Sequence, residues 1–297
     1  MGPVATPDGK ESVLQTEVLP LRRVLLRHAR DAFGSQETVR AEWEGLNYLS
    51  QPDFDAACWE YDQFVELLGG FGVSVEWVNG SDLGLDSMYV RDASIVSDQG
   101  AILCTMGKGA RSLEPSAQGR VFESLGVPVH GRIGASGTVE GGDVTWLDDR
   151  TLVVGRGYRT NEGGIGQLRR LLPDVDVMCV PLPHFRGPSD VFHLMSMLSP
   201  LDDDLLLVYA PLMPVPFREV LLERGFRLIE VPEVEFDSQG CNVLAVAPRV
   251  VVALDGNPET RRRMEAAGVE VHTYVGHEIS LKGSGGPTCL TRPLERS

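Results

Sequence analysis

Cys289, His193, Glu140 and Asp92 are a thiol, an imidazole and two carboxylates, a set able to attack an electrophilic carbon and move protons around it. A free thiol with a pKa of ~8.5 is mostly protonated at neutral pH, so Cys289 would need a general acid/base and a cationic neighbour. His193, in VFHLMSML, supplies the first. Glu140, in TVEGGDV, is followed by glycines that allow close backbone approach, and its carboxylate could orient the imidazole. Asp92, in DSMYVRDAS, could accept hydrogen bonds from a planar cation or pair with Arg91, and Asp86 has the same alternatives. Each type also has a plainer reading: a buried thiol packs as a small hydrophobe, a strand histidine can be satisfied in a core, and a turn glutamate can face water. Against that reading, Gly285, Gly286 and Pro287 shape the backbone before Cys289 in a way that a packing cysteine does not require.

Arg111 and Arg159 follow G-x-G turns beside helix starts, where guanidinium forks and backbone N–H groups would grip a carboxylate. Neither turn carries a full dinucleotide fingerprint or a Walker lysine, so no nucleotide cofactor is expected. His272, His277 and Glu278 lack the spacing of a helical ligand pair and are assigned structural roles, with no metal expected.

The elements that must position these residues recur. DASIVSDQGAILCTMGKGARSLEP, from Asp92, and DVTWLDDRTLVVGRGYRTNEGG, from Asp143, each read as strand, turn, strand, then G-x-G-x-R-[ST]-x-E, with Ser112 and Thr160 as expected helix N-caps. The pattern continues from His193 and from Cys241, where Asn257-Pro258-Glu259-Thr260 opens another helix. The unit is strand, strand, helix, strand. Its opening polar residues, Asp92, Glu140, His193, Asn242 and Cys289, are about fifty residues apart. Five such units suit a closed α/β ring, a five-bladed ββαβ propeller with pseudo-fivefold symmetry, which would gather two acids, a histidine, an amide and a thiol at one centre. The fifth unit begins at Cys289, and N-terminal LPLRRVLLRHA and AACWEYDQFVELLG would complete it. An open α/β sheet is the alternative.

The chain has 27 basic and 42 acidic residues, a net charge of −15, without a Lys/Arg block; nucleic acid is not an expected partner. The acidity mildly favours a cationic small substrate. Five cysteines without CxxC spacing point to neither a disulfide framework nor a structural zinc site. No segment has the length and apolarity of a membrane span, and MGPVATPDGKESVLQTE lacks the basic and apolar regions of a secretory leader, so a reducing, cytoplasmic location is expected. Residues 1–18 read as a polar tail and 19–297 as a single domain. A homodimer through an exposed helix face stays open.

In order, DSMYVRD, EGGDV, YRTN, FHLMS, GCNVL and GGPTCL resemble the guanidine-modifying enzymes of the pentein superfamily, which include dimethylarginine dimethylaminohydrolases, arginine deiminases and amidinotransferases. The resemblance runs from about Leu19 onward and implies a five-bladed α/β propeller. It implies Cys289 as nucleophile, His193 as acid/base and Glu140 as its partner. Asp92 would hold a substrate guanidinium, with Asp86 a further candidate. Arg159 would bind a substrate carboxylate, Arg111 is a looser match, and Gln36 to Tyr48 occupies the region of a lid.

The implied reaction is hydrolysis of arginine or N-methylated arginine through a thiouronium on Cys289, giving citrulline and an amine. Deiminases and amidinotransferases usually place an aspartate two residues after the histidine; Met195 stands there, an apolar lining that would tolerate an alkylated nitrogen. The alternatives are amidino transfer from arginine to an amine acceptor, and a non-catalytic propeller that binds an arginine-like ligand.

Overall fold

The computed structural model describes residues 15–80, 82–134, 136–190 and 192–297. β1 (Leu21–Leu26), α1 (Ala29–Phe33), α2 (Gln36–Glu42), α3 (Phe54–Gly70) and β2 (Ser74–Trp77) come first. Four similar units follow. They are β3 (Ser94–Ser97), β4 (Gly100–Leu103), α4 (Glu114–Ser124) and β5 (Val129–Arg132); then β6 (Val144–Asp148), β7 (Thr151–Arg156), α5 (Glu162–Leu171) and β8 (Asp176–Pro181). The next two are β9 (Leu198–Asp202), β10 (Leu205–Val208), α6 (Val215–Glu223) and β11 (Arg227–Glu230), and β12 (Val243–Ala247), β13 (Val250–Leu254), α7 (Pro258–Ala266) and β14 (Glu270–Tyr274). β15 (Arg292–Arg296) ends the order.

These strands form five sheets of three. In each unit a short turn makes the first two strands antiparallel, as in Val144↔Val154, and the helix carries the chain back so that the third is parallel, as in Leu152↔Val177. The remaining sheet joins distant parts of the chain: β15 pairs antiparallel with β1 (Leu25↔Arg292), and β1 pairs parallel with β2 (Val24↔Val75) across α3. Read from β15, this sheet repeats the strand, strand, helix, strand order. Contacts then link the sheets in a cycle, β15 to β3, the Val90–Ala93 turn to the Gly141–Asp143 turn, that turn to Leu194–Ser196, β9 to β12, and β12 to β1.

Apolar residues between sheet and helix make the core, as where Leu152 and Val154 of β7 pack with Ile165 and Leu168 of α5. Two expected caps differ by one position. Asn161, not Thr160, caps α5, accepting from Gly164 N at 2.9 Å, while the Thr160 hydroxyl accepts Glu140 N at 3.1 Å. Leu113 rather than Ser112 precedes α4, which Pro115 in its first turn helps to start without a side-chain cap. The expected tail lies outside the described residues as far as residue 14; Gln15, Glu17 and Val18 are buried against the body. Among the described residues no helix is long and apolar enough to cross a membrane.

Candidate active site

The residues that open the repeats sit just before the first strand of each unit, where a tight turn interrupts the ladder, whereas Arg111 and Arg159 follow the second strands β4 and β7. Asp92 lies in the turn before β3, Glu140 and Asp143 flank the turn before β6, His193 precedes the turn before β9, Asn242 adjoins β12, and Cys289 lies three residues before β15. Dense packing lets them meet. A Cβ at Gly142 would fall on His193 Nδ1 and Asp92 Oδ1, so only glycine lets these turns approach.

His193 Nε2 lies 2.9 Å from Glu140 Oε2, and Nδ1 lies 3.8 Å from Asp92 Oδ1. Burial alone would lower the pKa of this imidazole, but Asp143, Asp92 and Glu140 surround it and raise it to about 9. Glu140 is fully buried, which opposes its charge; His193, Arg159 and Arg111 overcome that and hold it well below the usual carboxylate range. Asp143 accepts Leu194 N at 3.1 Å, and burial pushes it up to about 6. At neutral pH the imidazole is therefore a cation among carboxylates, and Glu140 fixes Nε2.

Asn242 holds the thiol. Its Oδ1 accepts from Thr288 N (3.1 Å) and Thr288 Oγ1 (2.7 Å), which fixes the amide and turns Nδ2 to Cys289 Sγ at 3.3 Å. Burial and then Asp92 push the Cys289 pKa up, against the Asn242 bond, so the resting group is a neutral thiol. The loop before it needs its glycines: a Cβ at Gly283 would collide with Tyr89 Oη and one at Gly286 with Asn242.

The two arginines do grip carboxylates, but the protein's own. Arg159 Nη1 donates to Glu140 Oε2 at 3.0 Å. Arg111 donates to Asp92 Oδ2, to both oxygens of Glu114 (2.8 and 2.7 Å) and to Tyr89 O (2.8 Å), a set that leaves little of its fork for a ligand. Burial pushes Glu114 up to about 7 despite that partner. Asp92 therefore pairs with Arg111 rather than Arg91, whose partner is Glu17. Asp86 carries a cation that sequence reasoning passed over, Lys108, with Nζ 2.6 Å from Oδ2. The signal was the polar middle residue of G-K-G, read only as a turn.

Met195 is buried in the turn after His193, and α2 with the loop to Tyr48 fills the expected lid region. His272 and His277 bond to Glu270 and Glu278 respectively. Asp92, Glu140 and His193 offer ligand atoms within 4.8 Å of one another, a spacing a metal could also bridge; Arg111 and Arg159 already supply positive charge to the carboxylates. At the rim, a cavity of about 140 Å³ touches Asn242 and Ser284, and one of about 260 Å³ touches Arg159. The roomier hollow of about 670 Å³ lies elsewhere, against Trp59 and Phe71.

The family model for arginine deiminase matches residues 86–216 and 213–296, a span that includes Glu140, His193 and Cys289. The chain belongs to the arginine deiminase family. It is 28% identical over 274 residues to an N(G),N(G)-dimethylarginine dimethylaminohydrolase of Streptomyces coelicolor, covering 92% of this chain and 97% of that one. Its fold is similar to that of a dimethylarginine dimethylaminohydrolase of Pseudomonas aeruginosa complexed with citrulline (TM-score 0.74, 23% identity, 93% and 100% of the two chains). It is also similar to an amidinotransferase of Microseira wollei from a saxitoxin biosynthetic pathway (TM-score 0.77, 16% identity, 96% and 97%). These are relatives within the pentein superfamily.

Proposed function

We propose that this protein is a cysteine-dependent hydrolase of arginine or N-methylated arginine, built as a five-bladed propeller whose opening turns meet at one centre. The observation that carries this reading is the chain of contacts on two sides of one spot: Glu140 on His193, Asp92 beside the same imidazole, and Asn242 on the Cys289 thiol. Dimethylarginine and arginine hydrolases among its relatives support the substrate class, and buried Met195 suits an alkylated nitrogen.

The chemistry follows from the protonation states. His193 is already protonated and cannot take the thiol proton, so that proton leaves to solvent as the substrate cation, held by Asp92, enters and favours thiolate. The thiolate forms a C–S bond to the guanidinium carbon, giving a tetrahedral adduct. His193 then protonates the departing amine, the C–N bond breaks, and an S-linked thiouronium remains on Cys289. Neutral His193 takes a proton from water, the hydroxide adds to the same carbon, and the C–S bond breaks as the added hydroxyl gives its proton to solvent, releasing a ureido product and thiolate. Glu140 stays ionised throughout and stabilises the imidazolium. Arg159, with one nitrogen on Glu140, is the proposed contact for a substrate carboxylate, while Arg111, spent on Asp92, Glu114 and Tyr89 O, is not free for that role.

Product analysis by mass spectrometry, with arginine, monomethylarginine and asymmetric dimethylarginine, with and without primary-amine acceptors, tests this. Citrulline is expected without an acceptor, together with a covalent adduct on Cys289 in quenched reactions. Ornithine formed only with acceptors would replace hydrolysis by amidino transfer. Binding without turnover would mean a non-catalytic receptor.

A further inference from the structure

Asp86 and Asp92 are both carboxylates at the proposed guanidinium site, yet they are held differently. Asp92 has one donor on each oxygen, Arg111 on Oδ2 and Gly142 N on Oδ1 at 3.0 Å, and keeps further lone pairs for a ligand. Asp86 Oδ2 is buried and has no aligned hydrogen-bond donor, although Lys108 Nζ lies only 2.6 Å away. The ammonium is in contact but off the direction that a hydrogen bond requires. A better-placed N–H would still gain that bond. Lys108 is tied down elsewhere: its Nζ donates to Leu46 O at 2.7 Å, and its backbone N donates to Glu140 Oε1 at 2.9 Å.

Charge gives this pair its meaning. Asp86, Asp92 and Glu140 each already have a cation on them, Lys108, Arg111 and Arg159, before any substrate cation arrives, and His193 adds a further positive charge beside Asp92 and Glu140. A guanidinium that reaches Asp86 meets a lysine already there, and like charges in a desolvated site repel strongly. Whether a substrate must reach Asp86 depends on its nitrogens. With one edge on Asp92, unsubstituted arginine has a terminal N–H pair left for a second carboxylate; a dimethylated nitrogen has none.

We propose that Lys108 is a resident cation on Asp86 that sets substrate choice: unmethylated guanidines must displace it, whereas dimethylated ones bind beside it. The inference rests on the function proposed above, with Asp86 taken as the second carboxylate open to the guanidinium. Lysine thus acts as a selective obstacle, a repulsive element aimed at the smaller competitor.

Calorimetric titration in a Cys289→Ser background tests it, with Lys108 or Lys108→Met, using arginine, agmatine and asymmetric dimethylarginine. Lys108→Met is expected to tighten arginine and agmatine about tenfold and to leave dimethylarginine within about twofold, with Lys108→Arg behaving like lysine. Equal tightening of all three, no change, or weaker arginine binding overturns the proposal. Absence of binding by every guanidino ligand overturns both this and the function beneath it. A measurement on the unaltered protein stands if the variant misfolds: acylation of Lys108, read by mass spectrometry, should quicken with arginine and not with dimethylarginine. Protection of Lys108 by arginine, or indifference to it, overturns the inference as well.

Discussion

His193 loses its proton at about 9, while the Cys289 thiol is held above its ordinary value by burial and Asp92. Attack needs thiolate and imidazolium together, so the productive form of the free protein grows with pH below both values. For arginine, kcat/KM should rise about tenfold per pH unit from neutrality toward 9, because this ratio reports the free protein. A profile already flat or falling at pH 7 would contradict the assigned protonation states. The same imidazole affects stability. Its pKa is raised on folding, so its contribution is complete below the unfolded value of 6.5 and lost as pH climbs through about 9. The spacing of Cys289, His193 and Glu140 was readable because each opens a repeat. Lys108 was not: its partners Asp86 and Leu46 lie in other turns, and only the folded chain brings an ammonium onto that carboxylate.

Among the elements, the turn before Cys289 depends on a carboxylate from α3. Glu60 accepts N–H bonds from His277 (3.1 Å), Glu278 (2.7 Å) and Ile279 (3.1 Å), the otherwise unpaired start of the π-type turn His277–Leu281. That turn leads straight into Gly283–Cys289. Glu60→Ala leaves three N–H groups without an acceptor and should cost about 3 kcal/mol in unfolding free energy, with Glu60→Gln intermediate. Chemical denaturation measures the loss, and kcat should fall with it, since Cys289 would lose its fixed approach. Unchanged kcat in a destabilised Glu60→Ala protein would show that the turn does not position the thiol. Helices themselves were legible from N-cap and apolar patterns. The one-residue displacement at α5 arises because Thr160 already accepts Glu140 N, leaving Asn161 to cap.

Over the whole molecule, the five-unit repeat foretold five three-stranded sheets, including the one joining β1, β2 and β15, because equal units leave no other place for the unpaired strand. What it hid was the charge beneath the site. Arg91, Arg292 and Arg296 are all buried, and Glu17 pairs with Arg91 and feels all three. Burial lowers Arg292 to about 9 and Arg296 to about 10. Glu17→Ala strands these guanidiniums and should cost about 3–5 kcal/mol, read as a lowered denaturation midpoint. A midpoint within error of the unaltered protein would mean that water or other groups already balance them. Glu17 itself has a lowered pKa despite burial, so its contribution is present above about 4.5 and is lost as pH falls below that value.

The pairing of β15 with β1 also orders events in time. β1 is translated early and β15 after the other described strands, so during synthesis one edge of β1 waits without its neighbour while those sheets are made. An unpaired edge invites association with other chains. The same delay reaches the proposed site, since Cys289 is translated just before β15 and its contact with Asn242 forms only as that strand docks. A half-made chain holds His193 and its carboxylates without Cys289, so the proposed site and the β1 edge are completed in the same step.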